Sequence, residues 1–179
     1  MPTEATIRPF NLERNFEDAL VETLRNHGWV DDVITYPTEE DLIENWMKII
    51  FHNNRGINGL NNTPLSKAEI DQILHKVNAC NGNPYETNKL INDKYIQITR
   101  DCADSGQNGK SVYLKIFDPA EIKAGQSRYQ IVRQPRFRVA DNILGDNRGD
   151  LMLLINGMPV IHIELKRSGV NVSEACSQI

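Results

Sequence analysis

Hydrophobic residues recur along this chain with two periods, and the change comes near Lys94. Before it the spacing is helical. Leu12, Phe16, Leu20 and Leu24 return every fourth residue, which predicts an amphipathic helix over 11–26. Asn11 is its candidate N-cap, Gly28 closes it, and Trp29 is expected to pack back on it. Leu42, Trp46, Ile49 and Ile50 predict a second helix over 38–53, followed by a polar loop rich in Gly and Asn to Pro64. Ser66 with Glu69 three residues on is a capping box that opens a third helix, whose stripe is Ile70, Ile73, Leu74 and Val77. Asn81-Gly82-Asn83-Pro84 breaks it, and 85–92 predicts one more short helix.

After Lys94 the period is two. Tyr95, Ile96 and Ile98 predict one strand; Val112, Leu114 and Ile116 predict the next, joined through a turn at 104–109. Residues 128–139 read as a long strand bent at Pro135, and 141–149 as a polar loop. The stretch GDLMLLINGMPVIHIELK, 149–166, reads as two strands about a turn. Leu151 to Ile155 is a continuous apolar run, and Asn156-Gly157 tolerates the positive φ that tight hairpins need. In the second strand Val160, His162, Glu164 and Lys166 share one face, while Ile161, Ile163 and Leu165 take the other. Ser173 caps a helix begun at 173–179. Together these elements predict an α/β domain: a mixed sheet of about five strands flanked by helices, with an N-terminal helical elaboration. The whole of 1–179 is expected to be a single domain, helical over about 11–92 with its sheet core over about 94–179.

The register of the last hairpin decides its chemistry. With a three-residue loop, Asn156-Gly157-Met158, Ile155 pairs with Pro159 and Asp150 falls opposite Glu164, on the same face. With a two-residue loop Asp150 pairs with Ile163 and faces away. The three-residue loop is the expectation. Two carboxylates and the Lys166 ammonium then crowd one patch. Two such acids repel, and a divalent cation relieves that repulsion. Mg²⁺ suits one or two protein carboxylates and keeps waters for substrate, so the arrangement points to metal-assisted phosphodiester hydrolysis. Asp150 and Glu164 are the candidate metal ligands, and Lys166 the candidate for orienting the attacking water or stabilising developing charge. By spacing alone, a solvated strand face carries the same residues.

Charge supports a phosphate-bearing partner only locally. The chain of 179 residues has a net charge of −4, which argues against a non-specific nucleic-acid coat. Residues 1–122 carry 12 basic and 19 acidic groups, whereas 123–167 carry 8 basic and 4 acidic. The basic excess is therefore around the hairpin: Arg128, Arg133, Arg136, Arg138, Arg148, Lys166 and Arg167. No run of 18 apolar residues and no signal-peptide pattern are present, so no membrane partner is expected. Cys80, Cys102 and Cys176 are odd in number and far apart, which fits free thiols in a reducing cytoplasm rather than a disulfide frame or a zinc site. His52 and His75 are isolated and read as structural or solvated.

The hairpin resembles the PD-(D/E)xK nuclease core as written in the R (motor-nuclease) subunits of type I restriction enzymes: Arg-Pro-Asp, a strand, Asn-Gly-x-Pro, and a strand ending Glu-Leu-Lys. Ile131-Val132-Arg133-Gln134 is similar to the family's preceding strand, and Phe16-Glu17 through Gly28-Trp29 to its first helix. Gly149 departs from the pattern, standing where the family usually has Pro. The resemblance implies a restriction-endonuclease-like fold and Mg²⁺-dependent cleavage of double-stranded DNA, in a complex with methyltransferase and specificity subunits. It implies that Glu17, or else Glu13, adds an acid from the first helix to Asp150, Glu164 and Lys166. It puts Gln178 in a Gln-x-x-x-Tyr element near the metal. Arg148 and Arg167, from the basic patch around the hairpin, are the further candidates for substrate contact. The resemblance also implies that the chain is an N-terminal piece of a longer protein whose ATP-driven motor lies downstream. No Gly-x-x-x-x-Gly-Lys-Ser/Thr loop occurs in these residues, so ATP is expected to bind only that motor. Two readings compete: another nuclease of the same core, such as a repair enzyme or resolvase, and a non-catalytic docking domain of the same fold.

Overall fold

A computed structural model describes residues 13–56, 60–80, 83–137 and 147–165. In chain order the elements are α1 (Glu13–Asn26), β1 (Val33–Thr35), α2 (Glu39–Asn54), α3 (Lys67–Asn78), α4 (Pro84–Asp93), β2 (Tyr95–Thr99), β3 (Ser111–Lys115), α5 (Pro119–Lys123), β4 (Tyr129–Arg133), β5 (Arg136–Phe137), β6 (Asn147–Arg148), β7 (Leu151–Ile155) and β8 (Met158–Ile163). They form two compact units, one from the described parts of 1–39, 129–154 and 159–179, the other from those of 40–128 and 155–158. No described helix is long and apolar enough to cross a membrane.

The first unit is built on a mixed four-stranded sheet, β1-β4-β7-β8. β1 runs parallel to β4, with Val33 opposite Ile131 and Ile34 opposite Val132. α1 covers the sheet through Val21, Leu20 and Leu24, which pack with Trp29, Ile131, Leu151, Leu153 and Leu165. Each such side chain fully buried is worth about 1.5–3 kcal/mol, so this layer holds the ends of β4 and β7 in place. Gly28 (φ 103°) turns the chain out of α1, and the Trp29 N–H returns to the Leu24 carbonyl at 3.1 Å, as the Gly-Trp pair predicts. The stripe itself is rotated from its expected position. Phe16 is exposed, whereas Glu17 is buried. A carboxylate takes an inward place here because two protein donors receive it, as the next section shows.

Three further differences concern the sheet. The long strand over 128–139 is interrupted: Gln134 adopts φ 52°, β4 stops before it, and β5 pairs antiparallel with β6 in a separate ribbon. A residue in the left-handed region cannot continue a strand. The hairpin between β7 and β8 has a two-residue turn, because Asn156 (φ 53°) and Gly157 (φ 82°) both lie at positive φ and Met158 already belongs to β8. β8, moreover, is an edge strand among the described residues, which leaves Val160 and Ile161 partly in solvent.

The second unit explains why four strands, not five, form the main sheet. β2 and β3 pair with each other alone, Ile96 opposite Leu114 and Ile98 opposite Val112. Their apolar face packs with Trp46, Met47 and Ile50 of α2 and Ile73 of α3. The Ser66–Glu69 capping box is present in both directions. Glu69 is fully buried and also receives the Asp101 N–H at 2.8 Å, with Arg100 Nε 2.9 Å away in a charge contact rather than an aligned hydrogen bond. The hairpin tip belongs to this unit: Asn156 Oδ1 accepts the Arg128 N–H at 2.9 Å, and Gly157 lies so close to Trp46 that a Cβ there would sit 2.9 Å from its Cα.

Candidate active site

Asp150 lies just before β7, outside the strand, so the alternation that governs Leu151 onward does not set its direction. A two-residue turn would turn a regular strand residue at 150 away from Glu164. Instead Asp150 Oδ2 accepts the Leu165 N–H at 2.6 Å. Its own carbonyl accepts the Gln134 N–H at 2.8 Å. The acid is thereby tied both to the break after β4 and to the residues just past β8. Glu164 is the residue immediately before that donor, with a side chain only 8% exposed. Asp150 thus meets the Glu-Leu-Lys segment by a route the strand count did not foresee.

Gln134 links this corner to α1. Its Nε2 donates to Glu17 Oε2 at 2.9 Å, while Arg133 Nε donates to Glu17 Oε1 at 2.6 Å and Arg133 Nη2 to Asp18 Oδ1 at 2.6 Å. Both oxygens of Glu17 are therefore held by protein donors. Partial burial alone would pull the Arg133 pKa down, but its hydrogen bonds to Glu17 and Asp18 outweigh this and raise it above the ordinary guanidinium value. The other end of the Gln134 amide, Oε1, is buried with no donor among the described residues. A left-handed non-glycine backbone costs about 1–3 kcal/mol and persists only where the surroundings enforce it. The break after β4 is such a place.

His162 completes the arrangement. Its Nε2 is 3.3 Å from Glu164 Oε1, within ion-pair distance but not aligned as a hydrogen bond. It sits where a side chain at 149 would be: an ideal Cβ on Gly149 falls 2.5 Å from Nε2. The departure at Gly149 is therefore matched by the imidazole, and a proline ring would not fit beside it. On the neighbouring ribbon Arg148 is exposed, and its guanidinium lies over Tyr36. Lys166, Arg167, Gln178 and the side chain of Glu13 lie outside the described residues.

The Asp150 and Glu164 carboxylates are hard oxygen donors, and the two residues meet through the Leu165 N–H that follows Glu164. Among the described residues no group of three or more His, Cys, Asp or Glu is placed to hold a metal. Sequence reasoning named Gln134, His162 and Gly149 without giving them a role in the site, and passed over Tyr36. His162 had a visible signal, since it shares the strand face of Glu164. Gln134 and Tyr36 had none, because positive φ at non-glycine residues leaves no mark in hydrophobic periodicity.

Comparison with known proteins gives these residues a context. The family described as the type I restriction enzyme R protein N terminus matches residues 12–179. The SsaAORF53P endonuclease subunit of a type I restriction enzyme from Staphylococcus saprophyticus is 29% identical over 170 residues, 95% of this chain and 16% of that protein. The SauMSSORF170P endonuclease subunit from Staphylococcus aureus is 25% identical over the same shares of the two chains. The EcoprrI endonuclease subunit from Escherichia coli is 26% identical over 171 residues, 95% of this chain and 49% of that protein. The chain thus spans about one-sixth of the staphylococcal relatives. With a mixed α/β fold and a match that covers all but its first residues, the chain belongs to the type I restriction enzyme R protein N-terminal family.

Proposed function

We propose that this chain is the nuclease part of a type I restriction endonuclease subunit and hydrolyses phosphodiester bonds of double-stranded DNA with Mg²⁺. The observation that carries this reading is the 2.6 Å hydrogen bond from the Leu165 N–H to Asp150 Oδ2. It brings one acid to the residue that directly follows the other, Glu164. Asp150 and Glu164 would hold Mg²⁺, which would supply charge stabilisation at the phosphoryl oxygens and make the attacking water more acidic. The protein does the rest. Gln134 fixes the Asp150 backbone, Glu17 accepts from the Gln134 amide and is itself held by Arg133, and His162 borders Glu164. Lys166 orients the water, Gln178, Arg148 and Arg167 meet the DNA, and Glu17 serves the site through Gln134. Methyltransferase and specificity subunits, and an ATP-driven motor downstream, complete the assembly.

The test is plasmid cleavage by the full-length subunit in its complex. Asp150→Ala, Glu164→Gln and Lys166→Ala are each expected to lower cleavage by at least about a hundredfold while DNA-stimulated ATP turnover persists, since loss of one charge-stabilising group costs that much. Cleavage at wild-type rate in Asp150→Ala or Lys166→Ala rejects the reading. Loss of Mg²⁺ or Mn²⁺ binding in every protein tested, wild type included, favours a docking domain instead.

A further inference from the structure

Beside the proposed nuclease site, β5 and β6 set two arginines directly opposite each other: Arg136 faces Arg148. Like charges in that position are destabilising. Among the described residues neither guanidinium has a carboxylate partner, yet both converge on one ring. Arg136 Cζ lies 5.7 Å and Arg148 Cζ 5.3 Å from the centre of Tyr36. That ring is itself presented with effort. Tyr36 has φ 57° and is 49% exposed, and its N–H donates to the Arg133 carbonyl at 2.9 Å. The Arg136 N–H returns to Pro37 O at 2.9 Å, and Thr38 bridges Arg136. Strain, like-charge pairing and an exposed aromatic all raise the free energy of the empty surface. Two fixed guanidiniums lower it again when an anion offering paired oxygens, such as a phosphate, arrives.

We propose that Tyr36, Arg136 and Arg148 form a grip for the phosphate backbone of double-stranded DNA. This rests on the nuclease reading for its ligand, because Arg148 stands two residues before Asp150 and Arg136 two after Gln134. Tyr36 is a positioning residue: cation–π contact with each arginine restricts the two side chains to one side of the ribbon. The guanidiniums donate to phosphate oxygens and release counterions from the duplex. No base is read, so the contact is independent of sequence.

The experiment measures duplex binding by fluorescence anisotropy in the full-length subunit carrying Asp150→Ala, without divalent cations, over a series of salt concentrations. Arg136→Ala and Arg148→Ala are each expected to weaken binding about threefold to tenfold and to reduce the slope of log K against log salt by about one. Tyr36→Ala is expected to weaken binding without changing that slope, and Tyr36→Phe to restore it, because the ring rather than the hydroxyl positions the arginines. Arg25→Ala, on the exposed end of α1, controls for bulk charge and is expected to bind as wild type. Wild-type affinity and slope in both arginine variants overturn the proposal, as does an equal loss in Arg25→Ala. So does unaltered DNA binding combined with failure to assemble with the partner subunits, which points to an acidic protein segment instead. The nuclease reading fails by a different result, cleavage surviving Asp150→Ala.

Discussion

Replacing Gly149 by alanine puts a carbon 2.5 Å from His162 Nε2, 3.3 Å from Cε1 of the same ring and 3.4 Å from Pro135 Cγ. Favourable non-bonded contacts lie at about 3.5–4.0 Å, so the overlap with Nε2 is roughly 1 Å. Gly149 has no left-handed φ, and alanine strains nothing in the backbone. The imidazole must move. Its side chain is 27% exposed, so it has solvent to turn into, and the cost falls at the low end of the about 1–3 kcal/mol typical of overpacking. For a domain of this size about 1 kcal/mol is a fall of roughly 2–4 °C in Tm. Turning the ring also takes Nε2 away from Glu164 Oε1. Residues that hold metal-binding groups in place change metal affinity by about 10–100-fold, so Mg²⁺ is expected to bind about tenfold more weakly. The decisive assay is a double-mutant cycle by urea unfolding. In a His162→Ala background the added methyl has room, and Gly149→Ala is expected to cost less than half of what it costs in wild type. An equal cost in both backgrounds refutes the steric account.

Other outcomes follow from the same geometry. Asp150→Asn keeps an acceptor for the Leu165 N–H and is expected to hold Tm within about 2 °C, whereas Asp150→Ala leaves that donor unpaired and costs about 1–3 kcal/mol by urea unfolding. Glu17→Ala strips acceptors from both Arg133 and Gln134 and is expected to cost about 1–3 kcal/mol, with cleavage falling in parallel as Gln134 loosens. Glu69→Ala leaves Arg100 as a buried unpaired charge in the second unit, for an expected loss of about 3–5 kcal/mol in chemical unfolding. Asp118 caps α5, and the hydrogen bond from the Ala120 N–H, followed by that from Lys94, lowers its pKa below 3.8. A lowered folded-state pKa stabilises fully above the unfolded value and fades as pH falls through the folded one. Wild type is therefore expected to exceed Asp118→Asn in stability at neutral pH, with the difference closing below about pH 3.8, as followed by unfolding at stepped pH.

Periodicity made most of the elements legible, because burial selects residues at helical or strand spacing. The capping box at Ser66 and Glu69 and the stop at Gly28-Trp29 were readable from local chemistry. What stayed hidden had a common cause. Gln134 and Tyr36 each adopt positive φ, and that choice is enforced by distant partners rather than by neighbours in sequence. The hairpin loop was read one residue too long, and yet Asp150 reaches the Glu-Leu-Lys segment, since it stands outside the regular strand. Glu17 was legible as an acid of the first helix, but its bonds to Arg133 and Gln134 span more than a hundred residues and leave no local pattern. The stripe moved with it, from Phe16 to Glu17.

The most direct measurement is calorimetric titration of Mg²⁺, and of Mn²⁺ as a probe with larger heat, into the full-length subunit and into its Asp150→Ala and Glu164→Gln variants. Saturable binding in wild type that is lost or weakened at least about tenfold in both variants is the expected result. Equal binding in all three proteins contradicts the claim that these two carboxylates hold the catalytic cation.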